Sequence, residues 1–186
     1  MRLLFTLIIA LVNLSLFSQD KWFTNAGIIG FSSETEVIVI AGKNEKVVSF
    51  LVPATGEMAF ALRMTDFTFE LPLAREHFNE NYVESHKFPT AQFKGKISDP
   101  EKITYTIPGN YAVTVSGELT LHGVSRQITE KGLITVGADG NISGMAVITI
   151  RPEDYKIKVP RLVRDKVAEE VKVTIQVKYE PYKDGK

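Results

Sequence analysis

The chain has 186 residues, enough for one domain with a sizeable core. Lysine plus arginine equals aspartate plus glutamate at 22 each, and no basic run of five or six stands out, which argues against nucleic acid as a partner. The absence of cysteine excludes disulfides, a thiol nucleophile, thiolate metal sites and an acyl anchor on a leader cysteine.

At the N-terminus Arg2 is followed by LLFTLIIALVNLSLF, with no further charge before Asp20. A short basic start and an apolar centre predict a secretory signal peptide over residues 1–18, cut near Ser18 and Gln19. The run is short for a span of about 20 residues, and Asn13 and Ser15 interrupt it. Removing it takes away only Arg2, so the mature domain, residues 20–186, carries 21 cations against 22 anions. A soluble exported chain without stable membrane insertion is expected.

Beyond the leader, side chains alternate with a period of two, the signature of strands with one wet and one dry face. The predicted strands are Ala26–Ser32, Val37–Gly42, Val47–Val52, Met58–Met64, Ala91–Ile97, Tyr111–His122, Gln127–Val136, Ile142–Ile150 and Val171–Glu180. In the last of these Val171, Val173, Ile175, Val177 and Tyr179 oppose Lys172, Thr174, Gln176, Lys178 and Glu180. Turn signals fall at Gly42-Lys43-Asn44, Pro53-Ala54-Thr55-Gly56, Asp99-Pro100, Pro108-Gly109-Asn110 and Ala138-Asp139-Gly140-Asn141. One short helix is predicted over PLAREHFNENY, Pro72 to Tyr82, with Leu73, His77, Phe78 and Tyr82 on its inner side. An all-β domain follows, and the pattern alone leaves sandwich and closed barrel as competitors.

Candidate chemistry is sparse. His122 precedes Gly123 where LHGVSR joins two strands, so it reads as a turn residue on the polar-facing set. Ser125 lacks a G-x-S-x-G setting, and the sequence places no acid beside the histidine. His77 and His86, nine residues apart, match no familiar zinc spacing, so no metal is assigned. Phe67, Phe69, Phe78, Tyr82, Phe88 and Phe93 crowd around the helix and either fill the core or line a pocket beneath it. The runner-up to a binding protein is a hydrolase-like or isomerase-like enzyme acting on a lipid through His122 or His77.

The stretch GELTLHGVSRQIT, Gly117 to Thr129, resembles the signature hairpin of the YceI-like family. FNENYVESHKFPTAQFKG, Phe78 to Gly95, is similar to that family's helix and following strand, and Ile148 to Val177 is similar to its closing region. Departures lie near Trp22, which is followed by FTNAGIIGF, and in ELPLAREHF ahead of the loop. The resemblance implies an exported, lipocalin-like antiparallel β-barrel of about eight strands with one short capping helix. It implies a non-enzymatic periplasmic carrier or buffer for a long-chain amphiphile such as a polyisoprenoid, a quinone tail or a fatty acid or amide. No cofactor other than that ligand is implied, and a homodimer is left open. The ligand-lining residues it points to are Phe60, Leu62, Phe78, Tyr82, Phe88, Phe93, Val113, Val115 and Leu121.

Overall fold

The computed structural model describes residues 21–182, leaving aside the side chains of residues 161, 162 and 165. The expected signal peptide at residues 1–18 lies outside the described residues. The strands are β1 (Trp22–Glu34), β2 (Val39–Val52), β3 (Glu57–Arg63), β4 (Thr90–Ile97), β5 (Gly109–Leu121), β6 (Val124–Val136), β7 (Ile142–Ile150) and β8 (Val171–Pro181). Each pairs antiparallel with its neighbour in sequence, and β8 returns to β1, closing an eight-stranded barrel. Closure decides between the two architectures that alternation permits: it encloses the dry faces and gives every strand a paired neighbour on each side.

One predicted turn is not a turn. Gly42-Lys43-Asn44 lies inside β2, so the strands expected on either side of it are a single long one. Gly42 is small because the rings of Phe31 and Phe69 occupy the space over it; an added Cβ would fall 2.6 Å from Phe31 and 2.9 Å from Phe69. Asn44 is fully buried, with Nδ2 donating to the Arg63 carbonyl at 2.9 Å and Oδ1 accepting from the Lys46 amide at 2.9 Å. The pairing with β1 slips by one residue nearby, as expected of a β-bulge, where polar residues interrupt the alternation without ending the strand.

The up-and-down order sorts the connections. The β2–β3, β4–β5 and β6–β7 links share one end of the barrel with Trp22 and Pro181, and the other links share the opposite end. The first end is blind. Leu51, Ile97, Ile142 and Tyr179 are fully buried there, and the Tyr179 hydroxyl shares a 2.8 Å hydrogen bond with Ser49 Oγ. Burial pushes the phenols of Tyr179 and Tyr105 up to about 12. Because these folded-state values exceed that of an exposed phenol, their contribution is complete below about pH 10 and declines from there towards about pH 12. Alkaline denaturation monitored by urea midpoints is expected to begin in that window, and Tyr179→Phe to flatten it.

Candidate ligand-binding site

The opposite end carries a lid. Pro72 occupies the first turn of α1 (Pro72–His77), where its missing amide proton costs nothing. The coil continues as a wider π-helical turn over Phe78–Tyr82. Phe78 fixes it: its ring stacks on Phe31 at 5.3 Å and meets Phe67 at 5.3 Å and Phe69 at 5.1 Å. The Phe67 ring is buried, and Ile29, Leu62 and Leu121 of the barrel wall join the same cluster. The lid is thereby anchored on one side of the barrel end.

Beneath it lies a cavity of about 810 Å³, near the upper end of the size range of small-molecule sites. The barrel wall is what keeps it open. Phe60, Leu62, Phe93, Val113, Val115 and Leu121 all face it, yet all are only half-buried, as inward side chains of a hollow barrel must be. Eight closed strands hold the wall apart, so these side chains cannot collapse on one another. Leu73, His77, Phe78 and Tyr82 close it from above, in agreement with the expected inner side of the helix. Burial raises the pKa of the Tyr82 phenol, keeping it neutral. Ionisable side chains at the cavity, including Glu70, His77 and Lys166, are confined to few positions in an otherwise aliphatic and aromatic lining.

Eight of the nine residues expected to line a pocket do so, and Phe88 does not. Its ring lies against His122, with centroids 4.3 Å apart, over the β5–β6 turn. Glu84 explains the displacement: its left-handed backbone, φ 43°, turns the chain after the lid outwards, and both Lys87 and Phe88 amides donate to its carbonyl. Sequence reasoning also passed over Phe31 as a wall residue, because its stacking partner Phe78 arrives from the distant lid.

His122 differs from its expected place on an open polar face. Leu121 pairs directly with Val124, and His122 and Gly123 have φ of 51° and 70°, a two-residue turn with both residues left-handed. The side chain nevertheless is buried. Nδ1–H donates to the Tyr155 carbonyl at 2.9 Å, and Nε2 lies 3.2 Å from Glu84 Oε2. Lys87, and then His122, hold the Glu84 carboxyl below the usual carboxylate range. His122 is thus a clasp joining the loop after the lid to the segment around Tyr155, and it does not line the cavity. His122→Ala is expected to lower stability by about 2 kcal/mol, measured by urea unfolding, by leaving a buried carbonyl unpaired. Among the described residues no group of three or more potential metal ligands comes together.

No curated protein sequence matches the chain. Its fold is similar to that of a polyisoprenoid binding domain from Saccharophagus degradans implicated in plant cell wall breakdown, with a TM-score of 0.75 at 14% identity, covering 88% of this chain and 99% of that one. BcnA of Burkholderia cenocepacia is similar with a TM-score of 0.69 at 15% identity, covering 83% and 96%. The YceI protein of Campylobacter jejuni gives 0.59 at 18% identity, covering 77% and 85%. The YceI-like domain model matches residues 28–179, from the middle of β1 to nearly the end of β8, and the chain belongs to the YceI-like family.

Proposed function

We propose that the protein binds a long-chain amphiphile, a polyisoprenoid or a fatty chain, within the barrel and acts as an exported, periplasmic carrier or buffer rather than an enzyme. The observation that carries this reading is the hollow interior: an apolar cavity of about 810 Å³ walled by half-buried aliphatic and aromatic side chains. The similar Saccharophagus domain, described as polyisoprenoid binding, supports the same class of ligand. Export rests on the leader-like residues 1–18. A non-catalytic role is supported by His122, whose two ring nitrogens already face Tyr155 and Glu84 outside the lining.

Burial of about fifteen methylenes at roughly 0.8 kcal/mol each gives a gross gain near 12 kcal/mol. Loss of ligand freedom offsets much of that, leaving micromolar to nanomolar affinity. A homologous series of fatty amides, titrated by displacement of a fluorescent fatty acid, is the test. Affinity is expected to rise about fourfold per methylene until the cavity is full and then to level off. Affinity independent of chain length would contradict the reading.

A further inference from the structure

The cavity mouth is ringed by apolar side chains that face water. Val37 and Val39 at the β1–β2 tip are each 61% exposed, and Leu71 and Leu73 at the start of the lid are 61% and 60% exposed. Val39, Leu71 and Leu73 also line the cavity, so one apolar surface runs from the barrel wall to the outside. Both segments lie at the lid end of the barrel.

The β7–β8 link forms another side of the mouth, and its central segment is basic, with the exposed acids Glu169 and Glu170 following it just before β8. Its segment KIKVPRLVRDK, residues 156–166, holds five cations and one acid. Ile157, Val159 and Val163 line the cavity, whereas Lys156, Lys158 and Arg164 are exposed. Upstream acids do not neutralise the strap: Glu153 pairs with Arg151 at 2.7 Å and Asp154 with Arg126 at 3.4 Å. The exposed acids Glu36, Glu70, Glu76 and Glu80 lie on the β1–β2 and β3–β4 links, so the positive charge is concentrated on one side of the apolar ring.

We propose that this rim docks on an anionic lipid bilayer and takes up or releases the ligand there, an inference that rests on the lipid-binding reading above. Aliphatic tips beside a basic strap match the two parts of such a surface, an acyl boundary and negative headgroups. A water-borne route is unfavourable: each methylene shifts partition out of water by about fourfold, so a fifteen-carbon chain is disfavoured in water on the order of 10⁸-fold or more. Contact at the rim removes that passage. A second copy seated through the same face would bring a second basic strap to one symmetric interface, opposing association.

The test measures transfer of a fluorescent anthroyloxy-stearate from the loaded protein to acceptor vesicles of phosphatidylglycerol or of phosphatidylcholine. Docking predicts a transfer rate that climbs with vesicle concentration, is faster for phosphatidylglycerol and is slowed by salt. The triple variant Val37→Asp, Lys158→Glu, Arg164→Glu, which leaves the cavity lining intact, is expected to transfer about tenfold more slowly. Its equilibrium occupancy, with the probe added from ethanol, should match the parent chain. A rate independent of vesicle concentration with normal occupancy would overturn docking and leave the binding reading standing. Equal rates on both lipids would overturn the anionic surface. Failure of the parent chain to take up the probe at all would overturn both readings.

Discussion

Val113→Trp is expected to weaken binding of long-chain ligands roughly 100-fold while leaving the barrel folded. Val113 lies on the inner wall in β5, opposite Gly132 of β6, and is only half-buried because the cavity stands beside it. An indole there has room to enter and takes space that three or four methylenes of a ligand would fill, each worth about fourfold in affinity. The substitution fills a void without crowding packed neighbours, so stability should hold or rise by about 1 kcal/mol. Displacement titration and urea unfolding on one sample separate the two effects. Parent-like affinity in a folded variant would mean that the ligand sits elsewhere.

Gly117→Ala is expected to be the most damaging small substitution in the wall, costing about 3 kcal/mol or more in urea unfolding. Gly117 of β5 pairs with Gly95 of β4, and both face inwards beneath the ring of Phe93. A methyl at Gly117 would fall 2.3 Å from the Lys94 carbonyl oxygen, 2.4 Å from Gly95 Cα and 2.8 Å from the Phe93 ring. Two of those atoms are backbone and cannot swing aside. Gly140→Ala makes a suitable comparison, since nothing lies within 4 Å and only its φ of 78° resists the change. That variant should cost about 1 kcal/mol. Equal costs at the two positions would refute the close approach between β4 and β5. The same geometry gives Phe93 its place as a slab of wall laid over two glycines.

The strands could be read from the chain because alternation is a local property, and β8 with its valines against lysines is the plainest case. Barrel closure could not be read that way, since a sandwich demands the same pattern. Gly42 misled because glycine beside lysine and asparagine is the usual mark of a turn, whereas here Phe31 and Phe69 need the space. The site was legible where periodicity applied: Phe60, Leu62, Val113, Val115 and Leu121 face the cavity as their strand phase requires.

Loop residues escaped that logic. The side to which Phe88 turns depends on one left-handed residue, Glu84, for which no pattern gives notice. The burial of His122 depends on partners 33 and 38 residues away in the chain. The hollowness of the barrel was also beyond the sequence, because aromatic side chains that fill a core and those that line a pocket follow the same alternation.

Intact-mass measurement of the mature protein, purified from its native host without detergent, tests the central claim most directly. Binding of a long-chain amphiphile predicts excess mass under native conditions that disappears on denaturation, with the lipid recovered in an organic extract. A native mass equal to that of the bare chain, together with no uptake of added prenyl or fatty ligands, would contradict it.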